Sequence, residues 1–441
     1  MAHRGSGARF VAPGRHREDR AIVALAVPAL GALAADPLYS LADTAFVGNL
    51  GTPQLGAVAI GTAAFTASFW LFSFLAYGVT PRVARALGRG DMEATTRIGV
   101  QALLLAILIG AFVSLVGVLF AGPIVSVLGA EGEVAGFAES YLRIRILSST
   151  FVLIGQVGHG WLRGVQDTRT PMYIAVGGAL AHVALDYVLI YPAGLGVTGA
   201  ALATVIGQGG AALAFVVVLI RRFHQPKWRW NRVTARSLFK VGVHLAVRTG
   251  SLLAALTLAT SVAARMGEVE LAAWQIALQM FLLLALTLDS VAIAAQALVG
   301  RRLGEGDSRA AEELGRRLMV WGIALGVILG AVLLSVSAPI AEVFSDDRAV
   351  VTASAGLLLW LGTVQPLAGA AFTLDGILIG ASDTRFLAFS MAASSALFVG
   401  ISFLALSREW GLGGLAMGAT IWLVARVITT GYRWRAGVWA T

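Results

Sequence analysis

Nine ionisable side chains lie in stretches otherwise too apolar to hold them: Asp36, Asp43, Asp186, Arg248, Asp289 and Asp375, with His159, His182 and His244. Charge at membrane depth is costly, so such groups face a cavity or one another. Tyr39 precedes Asp43 by four residues and His182 precedes Asp186 by four, so each pair shares a helix face. Two acids held close at low dielectric cannot both stay ionised cheaply, which makes Asp43 and Asp186 a proton-loading pair. The plainer alternative is that they staple their helices through hydrogen bonds. Arg248 with Asp289 reads as a buried ion pair. It is either structural, or broken and re-formed as the helices move, or a place where Arg248 meets an anionic substrate. Asp36, seven residues before Asp43, could recognise a cationic substrate or cap a bend at Pro37. Pro28 and Pro37 each remove a backbone donor and permit a bend, static or coupled to Asp43. Gln279, one of several glutamines suited to inter-helix hydrogen bonds, joins Asp36, Arg248, Asp289 and Asp375 as a substrate or gating candidate. The chain has no cysteine, so disulfides, thiol nucleophiles and Cys-ligated metals are excluded. No nucleotide loop, His-Glu-x-x-His or nucleophile–base set occurs, so neither an enzyme nor a metal or cofactor site is expected. Energy would then come from an ion gradient.

Those residues need helices to position them. The chain has 441 residues, 58% hydrophobic and 13% charged, with a mean hydropathy of +0.81. Soluble domains are about 25% charged, so a polytopic membrane protein follows. Apolar runs of sufficient length give twelve spans, at approximately 22–47, 55–80, 98–120, 136–162, 171–191, 196–220, 240–263, 271–297, 318–338, 352–378, 385–406 and 411–432. The first is too long and too acidic for a cleavable signal. Twenty-six Lys and Arg fall in the N-tail, the even-numbered loops and the C-terminal end, against three on the other side, Arg265, Arg348 and Arg408. That bias places both termini in the cytoplasm of a multi-pass plasma-membrane (inner, cytoplasmic membrane) protein. It also accounts for the basic excess without nucleic acid; Trp228 and Trp230 read as interface anchors beside the lipid bilayer.

The chain also repeats itself. Leu87-Gly88-Arg89-Gly90-Asp91 recurs as Leu303-Gly304-Glu305-Gly306-Asp307, and Gly164-Val165-Gln166-Asp167-Thr168-Arg169 as Gly380-Ala381-Ser382-Asp383-Thr384-Arg385, both at an offset of 216. Gly196-Val197-Thr198-Gly199-Ala200-Ala201 answers to Gly411-Leu412-Gly413-Gly414-Leu415-Ala416 at 215. The expected fold is therefore all-α and integral to the membrane. Its twelve transmembrane helices form two six-helix lobes, a parallel pseudo-twofold repeat around a central cavity. An N-tail (1–20), an N-lobe (21–220), a linker (221–239) and a C-lobe (240–435) are expected. Such lobes suit alternating access by rocking, with a monomer as the working unit and a small organic molecule as substrate. Helix rise puts Asp43 roughly 34 Å past Arg20, Asp186 roughly 22 Å past Pro171 and Thr204 about 12 Å below the outer end of span six. All three lie in the outer half, whereas Arg248, Asp289 and Asp375 fall in the inner half. Asp375 is the repeat mate of His159.

Leu25-Ala26-Val27-Pro28, then Asp36-Pro37-Leu38-Tyr39-Ser40-Leu41-Ala42-Asp43-Thr44-Ala45-Phe46-Val47-Gly48, resembles the first helix of multidrug and toxic compound extrusion (MATE) transporters. Leu162-Arg163-Gly164-Val165-Gln166-Asp167-Thr168 and Ala272-Ala273-Trp274-Gln275-Ile276 are similar to further segments of that family. The Asp36-Pro37 pair, Arg248 and the Leu288-Asp289-Ser290 stretch look like its DinF-like branch. The resemblance implies export of organic solutes, often hydrophobic cations, in exchange for inward H+ or Na+. It also implies an N-lobe coupling network at Tyr39, Asp43, Asp186 and Thr204. The asparagine expected four residues before Asp186 is His182 here. Hard cations favour oxygen ligands, so that change argues against Na+ and toward H+. Trp274 stands where the family usually has a histidine. Other readings are a Na+-coupled exporter, a citrate-like organic-anion exporter, a lipid-linked saccharide flippase and, from a different class, a membrane-embedded sensor.

Overall fold

A computed structural model describes residues 15–72 and 74–440; most of the expected N-tail, with Arg4 and Arg9, lies outside the described residues. Among the described residues there is no β-strand. The first half holds α1 (Arg15–Gly48), α2 (Thr52–Phe72), α3 (Phe74–Gly88), α4 (Met92–Leu119), the short α5 (Ala121–Val127), α6 (Gly132–Arg145), α7 (Ser149–Gly164), α8 (Arg169–Ile190) and α9 (Gly196–Arg222). The second holds α10 (Arg232–Met266), α11 (Glu268–Gly304), α12 (Ser308–Phe344), α13 (Arg348–Gly380), α14 (Thr384–Ser407) and α15 (Gly411–Arg435). Ten of these are individually long and apolar enough to cross a membrane. The pairs α2–α3 and α6–α7 supply the other two spans, giving twelve helices in two lobes.

The fourth span departs from a plain continuous helix: it carries a 3-10 turn over Ile146–Ser148, between α6 and α7. Ser148 Oγ donates to the Arg145 carbonyl at 2.7 Å, and Ser114 Oγ to the Ile146 carbonyl at 3.0 Å. Hydroxyls thus take carbonyls that a regular helix would have used. Helix α1 runs unbroken through Pro28 and Pro37. Helix α10 starts at Arg232, ahead of the expected 240, because Asn231 caps it by accepting from the Thr234 amide at 2.9 Å. The connection before it is pinned to α4: Gln101 donates to the Arg229 carbonyl and accepts from the Asn231 amide.

The repeat is a repeat of local conformation. Gly90 and Gly306 have φ of 72° and 78°, Gln166 and Ser382 of 64° and 62°, Gly196 and Gly411 of 51° and 56°. Asp91 caps α4 by accepting from the Ala94 amide at 2.7 Å, and Asp307 caps α12 from Ala310 at 2.8 Å. Asp167 pairs with Arg222 at 2.8 Å and Asp383 with Arg433 at 2.6 Å. Each motif is a helix stop followed by a helix start.

The lobes meet at the arginine-rich face. One apolar core joins both lobes there, from Ile22, Val83 and Leu162 to Val299, Leu314 and Ile379. Beyond it the cores separate, one wholly in the C-lobe and two wholly in the N-lobe. At the seam α3 and α11 cross with backbone against backbone. A Cβ on Gly88 would lie 2.2 Å from the Arg301 carbonyl oxygen, and one on Gly304 2.2 Å from that of Arg85. Arg85 donates to the Ala381 carbonyl at 2.5 Å, Arg82 to that of Ser237 at 2.8 Å, and Arg301 to Gln166 Oε1 at 2.6 Å. The structure is closed at this face.

Asp19 of α1 latches the same seam. It accepts from Arg317 Nε at 2.7 Å and Nη2 at 2.6 Å, and from Trp321 Nε1 at 2.8 Å. The Arg317 hydrogen bonds, then that of Trp321, hold its carboxyl down at about 2, below its ordinary 3.8. A depressed carboxylate favours its paired state fully above the ordinary value and loses that effect as pH falls toward about 2. The latch is therefore insensitive to pH across the physiological range. Asp19→Ala is expected to loosen the closed face by the same factor at every pH from about 5 to about 8, read from the distance between spin labels on α1 and α12. An effect that changes within that window would contradict the assignment.

Candidate functional site

In the N-lobe, α1 and α8 lie side by side and bring three of the expected residues together. Ligand atoms of Asp43, His182 and Asp186 all lie within 4.8 Å of one another. The side chains are 8%, 2% and 0% exposed. His182 Nε2 is 3.0 Å from Asp186 Oδ2, as spacing by one helical turn allows. Tyr39, one turn before Asp43, stacks on the His182 ring with centroids 4.7 Å apart. Thr204 of α9 is buried and donates to the Ala200 carbonyl at 3.1 Å. Asp43 Oδ1, His182 Nε2 and both Asp186 oxygens have no hydrogen-bond partner among the described residues. Buried polar atoms without a hydrogen bond are costly, and here they are concentrated in one cluster between α1 and α8.

Tyr39, His182 and Thr204 also line a cavity of about 340 Å³ inside the N-lobe. Asp36 and Pro37 line it from α1, Arg145 from α6, Gln156 and His159 from α7, and Gln208 from α9. Phe65, Phe151 and Phe215 supply aromatic wall. Arg145 was not foreseen as a site residue. It is buried, with its guanidinium 4.7 Å from the Phe65 ring centroid and 6.0 Å from that of Tyr141. The signal was present in the sequence: an arginine midway along an apolar span.

The C-lobe gathers charge differently. The expected pairing of Arg248 with Asp289 does not form. Arg248 of α10 donates instead to Asp375 Oδ2 of α13, and Arg426 of α15 donates to the same oxygen at 2.8 Å. Asp289 of α11 accepts from Tyr77 Oη of α3 at 2.9 Å, a contact between the lobes. The reason is lateral arrangement: α10 and α15 both bring a guanidinium to α13, while α3 packs against α11 and takes Asp289. Arg426, also unforeseen, is 2% exposed and lies 4.8 Å from the Trp422 ring and 5.6 Å from Phe372. Gln279 is exposed on α11, apart from the N-lobe cavity. Trp274 is buried and pins α11 to α10, its Nε1 donating to Thr260 Oγ1 at 3.0 Å.

Two lobes of membrane helices, closed together at one face and holding buried carboxylates beside an internal cavity, are the architecture of a polytopic membrane transporter. The model of the MatE family matches residues 28–188 and 251–404, and the chain belongs to that family. It is similar to the protein DETOXIFICATION 44, chloroplastic, of Arabidopsis thaliana, at 32% identity over 97% of this chain and 84% of that protein. The DNA damage-inducible protein F of Escherichia coli is 28% identical over 96% of this chain and 94% of its own length. A solved outward-facing conformation of a multidrug resistance MATE family transporter of the MOP superfamily superimposes with a TM-score of 0.87, at 22% identity, covering 95% of this chain and 96% of that one.

Proposed function

We propose that the protein is a proton-coupled antiporter that exports organic compounds, often hydrophobic and cationic, by alternating access. The observation that carries this reading is that Asp43 and Asp186 are buried together with His182, ligand atoms within 4.8 Å of one another, and that Asp43 Oδ1 and Asp186 Oδ1 have no hydrogen-bond partner among the described residues. Two carboxylates so placed hold a proton far more cheaply than two charges. With His182 where an amide oxygen would serve Na+, the coupling ion is H+. Protons enter from the open face to Asp43 and Asp186, with Tyr39, His182 and Thr204 shaping the site. Helix α1, freed of two backbone hydrogen bonds at Pro28 and Pro37, then repacks against the cavity. Asp36 meets the substrate there. The units that rock are residues 21–220 and 240–435, joined by 221–239, in a monomer without cofactor. Both termini lie on the cytoplasmic side of the plasma membrane. The detoxification and multidrug resistance for which the similar Arabidopsis protein and the solved transporter are named support export of organic compounds.

In proteoliposomes with H+ and Na+ gradients varied separately, Asp43→Asn is expected to abolish efflux driven by a pH gradient while the protein still folds. Unchanged efflux would sink the assignment. A second reading, export of an organic anion, is favoured by one observation: two guanidiniums, Arg248 and Arg426, converge on the single carboxylate of Asp375. Citrate efflux by the wild type, lost in Arg248→Ala, would support it over the first.

A further inference from the structure

The Asp43, His182 and Asp186 cluster offers one imidazole nitrogen and carboxylate oxygens from two helices, and all of these side chains are more than nine-tenths buried. Asp43 Oδ1 and Asp186 Oδ1 have no hydrogen-bond partner among the described residues, while His182 Nε2 and Asp186 Oδ2 face each other at 3.0 Å. The histidine is held for this purpose from both sides. Tyr39 stacks on its ring, and α9 backs it at Gly207, where a Cβ would lie 3.4 Å from the His182 Cβ. The Nε2 edge is turned toward Asp186 Oδ2 at 3.0 Å.

That separation is a bite distance. Ligands bonded to a first-row metal ion at about 2.0–2.2 Å sit roughly 3 Å apart when adjacent. The His182–Asp186 pair already meets this, and Asp43 needs only a side-chain adjustment across the remaining gap. Imidazole with carboxylates suits Zn2+, Co2+ or Ni2+, and is a poor set for an alkali ion. Charge agrees as well, since two carboxylates neutralise one divalent ion. Thr204, Tyr39 and His182 open the cluster to the cavity of about 340 Å³, which supplies an entry path. We propose that Asp43, His182 and Asp186 bind a divalent transition-metal ion in competition with protons, so that Zn2+ arrests the transporter. The binding stands on geometry alone; the arrest rests on the coupling role given to these carboxylates above.

Purified full-length protein without a histidine tag is titrated with Co2+ in detergent, following the visible d–d absorption, and Co2+ is then displaced with Zn2+. One saturable ion per chain is expected. Affinity should weaken as pH falls, because the ligands must lose protons. His182→Asn should weaken Co2+ binding by more than about tenfold, and Asp43→Asn should do the same. His244→Asn, which changes a histidine outside the cluster, should leave it unchanged. Elution as a single monodisperse peak shows that each variant is folded. Absence of saturable binding to the wild type, or equal binding by folded His182→Asn, overturns the proposal. Because this readout needs no transport, it separates from the coupling reading. Tight binding with active Asp43→Asn would leave the site standing and remove the arrest. No binding with inactive Asp43→Asn would remove the site alone.

Discussion

Asp375→Ala is expected to destabilise the protein by about 3–5 kcal/mol, the cost of leaving buried charge without its partner. Arg248 and Arg426 both donate to Asp375 Oδ2, and these side chains are 15%, 3% and 5% exposed respectively. Neither Arg248 Nε nor Arg426 Nε has a partner among the described residues. Removing the carboxylate would leave two guanidiniums repelling each other in a low-dielectric interior. The thermal midpoint of the purified variant should fall sharply, and its yield from the membrane with it. Arg248→Met provides the contrast. It leaves Arg426 and Asp375 as a one-to-one pair, so no buried charge loses its only partner and the repulsion between the two guanidiniums is removed. Its midpoint should stay near that of the wild type. A stable Asp375→Ala, or an Arg248→Met equally impaired, would show that the triad is not held together by its central carboxylate.

The contrast between the lobes bears on what a sequence can disclose. The repeat was legible because its turns demand particular residues. A backbone at φ near 75° favours glycine at Gly90 and Gly306, and a helix start favours the side-chain acceptor that Asp91 and Asp307 supply. Tyr39, Asp43, His182 and Asp186 were legible because spacing by one helical turn fixes which side chains share a face, and rise along the helix fixes their depth. Partner choice in the C-lobe was not. Arg248, Asp289 and Asp375 share a depth, but which two meet depends on the lateral order of α10, α11, α13 and α15, which no spacing along one helix encodes. Tyr77 carries no charge and so gave no warning that it would take Asp289 across the seam. Arg145 sits just before the 3-10 turn at Ile146–Ser148, so a regular helix through this span does not describe the direction of its side chain.

Gly88→Val and Gly304→Val are expected to hold the arginine-rich face open and to stop transport without unfolding either lobe. The repeated Leu-Gly-x-Gly-Asp segments place these two glycines where α3 and α11 cross, and each added Cβ would meet carbonyl oxygen at 2.2 Å. The obstructing atoms are backbone, so relief requires the two helices, and with them the lobes, to part. Overpacking costs about 1–3 kcal/mol, and about 1.4 kcal/mol is tenfold in a population. The closed state should therefore lose roughly ten- to a hundredfold in occupancy. Folding should survive, because the three cores beyond the seam lie within single lobes. The chain has no native cysteine, so Arg169→Cys on α8 and Arg309→Cys on α12 would carry the only two spin labels. The label distance should lengthen in each glycine variant, and substrate efflux should fall in parallel. Alanine at either position should give a weaker form of the same shift, since its single methyl meets the same oxygen without the two further carbons of valine. A label distance unchanged in Gly88→Val would mean that this crossing does not set the closed state, and the seam would then depend on Asp19, Arg85 and Arg301 instead.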